Sequence, residues 1–202
     1  MRKLFISKSI TLFQQKWLYP ILLCSTLQGC FFVAGAAVGA VAVAVVYDHR
    51  KITGSIEDTQ IANKIIDKLR TDYTMWKESH LEVTVYNRVV LLTGETPKPE
   101  WRQIAEEQAR EIEGADKVYN QITIQNPTST LTRSSDVWIT TKVKTQMLAS
   151  DSLKSGNIKV KTENGSVYLM GAVTREQADI AVDITRKVDG VYRVVKIFQY
   201  ND

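Results

Sequence analysis

Histidine and cysteine, two side chains that often act in acid–base and nucleophilic catalysis, are few in this 202-residue chain. The two histidines stand in unrelated contexts: His49 follows a long apolar stretch and His80 precedes a predicted strand. Both cysteines, Cys24 and Cys30, fall in the N-terminal apolar region, so the folded part has no thiol for a disulfide, a zinc site or a nucleophile. No metal-ligand spacing and no glycine-rich phosphate loop is present. We therefore expect no enzyme activity, no metal and no cofactor.

The second half of one predicted helix carries closely spaced carboxylates: Glu106, Glu107, Glu111 and Glu113. Paired carboxylates can serve as general acid and base. The same helix also carries Arg102 and Arg110, which is typical of a solvated face laced with ion pairs. No positioned base accompanies the many Ser and Asp residues, so no catalytic triad can be chosen. The charge pattern favours a surface role for this helix.

The N-terminus has the composition of an export signal. Residues 1–16 are basic and contain no acid, and an apolar run from Trp17 ends in Leu27-Gln28-Gly29-Cys30. The Leu-x-Gly-Cys ending resembles the lipobox of bacterial lipoproteins, a resemblance that implies a signal peptide over 1–29 and a lipid on Cys30. Residue 31 is Phe, not the Asp that commonly retains such lipoproteins in the inner membrane. The resemblance therefore implies the outer membrane.

An uncleaved anchor is the alternative reading of this segment. Residues 31–47 are all apolar, Gly or Ala, so 17–47 could form one transmembrane helix. In the lipoprotein reading, 30–54 is a lipidated apolar spacer. Both readings place the folded part outside the inner membrane.

The net charge of +4 belongs to the export signal. Four basic residues and no acid precede Cys30, and the chain from Cys30 onward carries 22 basic and 22 acidic residues. This balance gives no electrostatic footprint for nucleic acid, and we expect none as a partner.

Beyond residue 54 the chain repeats itself, with matching landmarks at offsets of 76 to 78 residues. Each unit reads as helix, two strands, helix and strand. The predicted elements are helix 57–70, strands 81–86 and 88–93, helix 98–113 and strand 116–124, then helix 136–149, strands 158–163 and 166–170, helix 174–188 and strand 191–199. The pattern predicts an α+β protein of two tandem αββαβ domains, 55–126 and 135–202, joined by a polar linker at 127–134.

Local sequence chemistry supports these elements. Asn164-Gly165 is a strong tight-hairpin signal between two apolar runs, and Gly114 and Gly190 are expected to stop the second helices. Ser135 or Asp136 is the expected N-cap of the second domain's first helix. Each predicted domain is a small three-stranded sheet covered by two helices, and its thin core implies that the domains pack together or rest on a membrane.

These units resemble BON domains. The resemblance is carried by the glycine closing the second strand, the glycine ending the second helix, and by Trp138-Ile139-Thr140-Thr141-Lys142-Val143, Thr162-Glu163-Asn164-Gly165 and Leu169-Met170-Gly171. Residues 27–200 are similar to the dual BON-domain lipoproteins of Gram-negative envelopes. That resemblance implies a periplasmic, lipid-anchored outer-membrane protein that binds anionic phospholipid through its second domain. It also implies a role in envelope integrity, including at division sites.

The helix predicted at 136–149 has two contrasting faces. At about 100° per residue, Ile139, Val143 and Met147 fall within roughly 80° of one another and form the expected buried face. The opposite side carries an apolar and hydroxyl stripe: Val137, Trp138, Thr141, Thr145 and Leu148. Lys142 and Lys144 flank it. A tryptophan-containing stripe between lysines suits an anionic lipid surface, so these seven residues are the expected lipid-binding site.

Comparison between the domains favours this assignment. Gln60 occupies the position of Trp138 in the first domain, so the fold does not require a tryptophan there. Residues 55–126 carry 9 basic and 13 acidic side chains, whereas 135–202 carry 10 and 8. The alternatives are that Trp138 packs against the first domain or another copy, and that the helix serves an adaptor docking an envelope assembly or cell-wall protein. A sugar-binding role has only Trp76, Trp101 and the tyrosines in its support.

Overall fold

The computed structural model describes residues 49–201. The predicted signal peptide, the lipidation site Cys30 and the alternative anchor at 17–47 lie outside these residues and remain predictions. Thr53–Asp202 forms one compact unit that contains both repeats.

The first repeat contains, in chain order, α1 (His49–Leu69), α2 (Tyr73–Glu78), β1 (His80–Tyr86), β2 (Val89–Thr96), α3 (Pro99–Arg110), β3 (Lys117–Asn120) and β4 (Thr123–Ile124). The second contains α4 (Thr130–Leu148), a 3₁₀ turn (Ser155–Asn157), β5 (Ile158–Glu163), β6 (Ser166–Val173), α5 (Arg175–Thr185) and β7 (Arg193–Tyr200). The predicted α+β fold of two tandem αββαβ repeats is confirmed.

Each sheet is mixed, with its second strand in the centre. In the first sheet β2 is antiparallel to β1 and parallel to β3 and β4. In the second sheet β6 is antiparallel to β5 and parallel to β7. The parallel pairing follows from the helix between the second and third strands, since a crossover returns the chain in the same direction.

The two sheets are buried on both faces, because the repeats share a core. Val90 and Leu92 on β2 pack under the helices of the first repeat, and Val167 and Leu169 on β6 do the same in the second. The side chains between them point the other way into one cluster: Val89, Leu91, Tyr168, Met170 and Ile197. The expectation that the thin cores pack together is confirmed, and each sheet is covered by helices on one face and by the other sheet on its second face.

Several element boundaries differ from the sequence prediction. Helix α2 was not predicted; Asp72 caps it by accepting a hydrogen bond from the backbone N–H of Met75, whose side chain is buried. The strand predicted at 116–124 is split, because the Asn120 side chain accepts from the N–H of Ile122 and turns that residue into the core. The second helices end at Arg110 and Thr185. Gly114 and Gly190 therefore close the turns after the helices, both with positive φ.

The largest difference is at the start of α4. Ser129 caps this helix by accepting from the N–H of Thr132, so the helix begins inside the segment predicted as a linker. The expected N-caps, Ser135 and Asp136, are wrong: both lie within the helix, and Asp136 is buried. A run of Ser and Thr is polar in a linker and on an exposed helical turn alike, so polarity did not distinguish the two.

The Asp136 side chain instead forms hydrogen bonds with the turn of the β5–β6 hairpin. Its carboxylate accepts hydrogen bonds of 2.8 and 2.9 Å from the N–H groups of Asn164 and Gly165, both of which have positive φ. Asp58 makes the same pair of bonds to the first hairpin turn, at 2.7 and 2.9 Å. The predicted tight turn is confirmed, and in each repeat an aspartate on the first helix fixes it.

Replacing Asp136 by alanine should lower the free energy of unfolding by about 2–3 kcal/mol, because two turn N–H groups lose a charged acceptor in a partly buried site. Urea denaturation monitored by circular dichroism measures this change. Asp151→Ala removes an exposed aspartate of the same domain and serves as the matched control, with an expected change below about 0.5 kcal/mol. Equal stability of the two variants would show that the hydrogen bonds of Asp136 to the turn contribute nothing to the free energy of unfolding.

Candidate functional site

Helix α4 presents the predicted stripe to solvent. Ile139, Val143 and Met147 are buried in the core of the second repeat, as expected. Among the large apolar members of the stripe, Val137 is 67% exposed, Trp138 49% and Leu148 78%. Trp138 is thus half-exposed, and the role of its ring stays a prediction.

The stripe is longer than predicted. Leu131 lies in the first turn of α4 and is 80% exposed. It precedes Trp138 by seven residues, so the two side chains lie within roughly 20° of each other around the helix. This seven-residue spacing could have identified Leu131 as part of the stripe. It was not applied because the segment 127–134 was predicted to be a linker and not a helix. With Leu131, the stripe follows α4 from its first turn to its last.

The threonine hydroxyls of the stripe are hydrogen-bonded to the backbone of the helix itself. The Thr141 hydroxyl donates to the carbonyl of Val137, and the Thr145 hydroxyl donates to the carbonyl of Thr141, each at 2.9 Å. Hydroxyls bonded back to the preceding turn need no water for their protons. The middle of the stripe can therefore leave water at less cost than the residue types suggest.

The two flanking lysines have different surroundings. The Nζ atom of Lys142 lies 4.1 Å from the centre of the Trp138 ring and 3.9 Å from Oδ2 of Asp189. Lys144 is exposed and forms no hydrogen bond or ion pair with the residues that the structure describes. The loop that contains Asp189 also carries Tyr192, which is 87% exposed. This second aromatic side chain beside α4 was not predicted.

A cleft of about 390 Å³ adjoins the stripe. Val137, Thr141 and Lys144 lie at one side of it, and strand β5 forms the other. Glu82 of the first repeat reaches the cleft, where the ammonium of Lys161 bonds to Glu82 and lies 3.2 Å from Oε2 of Glu163. The cleft is therefore lined by both repeats.

Charges at this boundary are unusually buried. Burial raises the pKa of Glu163 to about 7, although the neighbouring Lys161 ammonium acts in the opposite direction. Glu95 is also fully buried; it accepts hydrogen bonds from the Asn164 amide and from the N–H of Thr128. By contrast, the glutamates of α3 lie at the surface, where hydrogen bonds from Arg110 and Asn120 lower the pKa of Glu106. The interpretation of that helix as a solvated face agrees with these contacts.

Among residues 49–201, no helix has the length and apolar content needed to cross a membrane. Helix α4 carries apolar side chains on two faces, one buried in the core and one exposed to solvent.

Comparison with known proteins gives the family. Residues 57–126 and 135–202 each match the BON domain. The chain is 38% identical over 176 residues to the outer membrane lipoprotein DolP of Haemophilus influenzae, covering 87% of this chain and 91% of the relative. It is 33% identical to a 21 kDa hemolysin of Actinobacillus pleuropneumoniae (76% and 79% covered) and 28% identical to the osmotically-inducible protein Y of Escherichia coli (71% and 73% covered). This chain belongs to the BON-domain family and carries two BON domains in tandem.

Proposed function

We propose that the protein is a non-catalytic, lipid-anchored protein of the outer membrane's periplasmic face, and that its second BON domain binds anionic phospholipid through α4. The observation that carries the proposal is the exposed stripe from Leu131 to Leu148, centred on Trp138 and flanked by lysines. Support for envelope integrity and action at division sites form the wider part of the same proposal.

Two further observations support the location. The relative from Haemophilus influenzae is an outer membrane lipoprotein, and the match covers 91% of its length. The sequence Leu27-Gln28-Gly29-Cys30 supplies a cysteine at the position that a lipobox requires. A lipid on Cys30 would hold the two domains close to the membrane that α4 contacts.

The energetics suit a domain that is already tethered. A lysine near an anionic leaflet contributes about 1 kcal/mol, and a partly inserted tryptophan contributes a few kcal/mol more through buried apolar area. These contributions give weak binding for a free domain. Tethering raises the local concentration, so weak contacts become effective.

Vesicle flotation tests the proposal. The unit Thr53–Asp202 is the appropriate sample, because fragments containing one repeat would expose the shared cluster around Leu91 and Met170. We expect flotation with phosphatidylglycerol vesicles, little with phosphatidylcholine vesicles, and loss of binding as salt rises. A unit that stays at the bottom of the gradient with both vesicles would refute lipid binding and leave the stripe to an envelope protein partner.

Replacing Lys144 by glutamine should weaken binding to phosphatidylglycerol vesicles about fivefold, because one unpaired charge of about 1 kcal/mol is lost beside the stripe. Lys196→Gln is the matched control: it removes an exposed lysine from β7, away from α4, and should change the affinity little. Equal losses of vesicle affinity in both variants would indicate that the vesicle attracts the charge of the whole domain and not α4 in particular.

Replacing Cys30 by alanine should abolish lipid labelling and release the protein from the membrane pellet, because the acyl chains would have no attachment point. Metabolic labelling with a fatty-acid analogue, followed by fractionation, measures both effects. A Cys30→Ala protein that still fractionates as an integral membrane protein would establish the alternative anchor at 17–47.

A further inference from the structure

The boundary between the two BON domains brings together three side chains with metal-binding atoms. His80 and Glu82 come from β1 of the first domain, and Glu163 comes from the end of β5 in the second. One ligand atom from each lies within 4.8 Å of the others. Nε2 of His80 is 3.5 Å from Oε1 of Glu82.

Two atoms of this cluster are buried without a hydrogen-bond partner: Nε2 of His80 and Oε1 of Glu163. The Glu163 residue is only 6% exposed. Buried polar atoms normally have partners, because leaving one unpaired costs about 1–3 kcal/mol. The cluster therefore has two unmet bonding positions in a partly buried place.

Lys161 satisfies the cluster only in part. Its ammonium bonds to Oε2 of Glu82 and lies 3.2 Å from Oε2 of Glu163, so it uses one oxygen of each carboxylate. Oε1 of Glu82 is the atom that lies 3.5 Å from Nε2 of His80, and Oε1 of Glu163 has no hydrogen-bond partner among the residues that the structure describes. When both carboxylates are ionised, the single ammonium of Lys161 balances only one of them.

We propose that His80, Glu82 and Glu163 form a Zn²⁺ site that joins the two BON domains. A histidine nitrogen with carboxylate oxygens is a donor set that zinc accepts, and three protein ligands leave a fourth position for water. Mg²⁺ and Ca²⁺ prefer oxygen ligands alone, so the imidazole favours zinc over them. The ion would pair both unpartnered atoms and supply the missing positive charge.

Because the ligands come from both domains, zinc would bind the assembled pair more tightly than an open one. Binding to the native state alone raises its stability. The proposal is independent of lipid binding, and its test contains no lipid.

The test uses the full chain in detergent micelles, with Zn²⁺ and Co²⁺ as probes. We expect one Zn²⁺ per chain by calorimetry, a rise in melting temperature with Zn²⁺, and a visible Co²⁺ absorption band. His80→Ala and Glu163→Gln should each weaken Zn²⁺ binding at least tenfold. His49→Ala removes the other histidine and should leave the affinity unchanged.

A measurement on the unsubstituted protein keeps the proposal testable if a variant fails to fold. Co²⁺ should broaden the NMR signals of residues 80–82 and 161–163 before those of α5. Absence of stoichiometric Zn²⁺ binding would overturn the proposal. So would Co²⁺ broadening of NMR signals away from residues 80–82 and 161–163, or a loss of Zn²⁺ affinity in His49→Ala equal to that in His80→Ala. A melting temperature that changes with pH but not with added Zn²⁺ would likewise overturn it.

Discussion

Replacing Trp138 by alanine is expected to weaken binding to phosphatidylglycerol vesicles roughly 30-fold or more, while the melting temperature changes by no more than about 2–4 °C. The ring is half-exposed on α4, and the Lys142 ammonium lies over it. Truncation therefore removes the largest apolar group of the stripe without opening a cavity in the core. Flotation and thermal unfolding of Thr53–Asp202 measure the two quantities separately.

Trp101→Ala is the matched control, because Trp101 is buried in the core of the first BON domain. This variant should lose roughly 3–5 kcal/mol of stability. Two results for Trp138→Ala would contradict the account: an unfolded protein would place the ring in the packing, and a folded protein that binds lipid as before would leave α4 to a protein partner.

A large loss of stability is expected from Gly94→Ala. A Cβ atom at this position would lie 1.9 Å from the carbonyl oxygen of His80, and the backbone has φ +110°. The obstacle is backbone of the paired strand β1, which cannot move aside as a flexible side chain would. We expect a loss of about 3–4 kcal/mol or more in the free energy of unfolding, measured by urea denaturation.

The repeat provides a second case and a control. Gly171 holds the corresponding place on β6, where a Cβ atom would lie 2.5 Å from the carbonyl oxygen of Asn157, so Gly171→Ala should also be strongly destabilising. Gly156 has no atom within 4 Å of its Cβ position and no positive φ. Gly156→Ala should change stability by less than about 0.5 kcal/mol. Comparable stability of Gly94→Ala and Gly156→Ala would show that the strands can separate at this point.

The repeated fold could be predicted because its landmarks are local. The four-residue steps of Ile139, Val143 and Met147 mark a helix face, and Asn164-Gly165 marks a hairpin. Burial on both sheet faces is also indicated by two unbroken apolar runs, residues 89–92 in β2 and residues 167–170 in β6. Such runs are typical of strands covered on both sides. They show that the second face needs a partner, but not that the other repeat provides it.

The stripe on α4 was predictable because helical geometry alone separates it from the core. Leu131 was missed because the segment before Asp136 is polar, and the capping bond of Ser129 that starts the helix early depends on side-chain geometry. The cluster of His80, Glu82 and Glu163 could not be predicted from spacing. Its members come from different repeats, and only the packing of one sheet on the other brings them together.

Spin labelling can show directly whether the exposed face of α4 lies on the membrane. Thr53–Asp202 contains no cysteine, so one cysteine can be introduced at Thr145 on the stripe or at Asp179, an exposed position on α5. Nitroxide accessibility to oxygen and to a water-soluble nickel complex is then measured with phosphatidylglycerol vesicles. The account predicts that vesicles raise oxygen accessibility and lower nickel accessibility at position 145, with no change at position 179. Bound protein whose label at position 145 remains as accessible to nickel as in solution would contradict it.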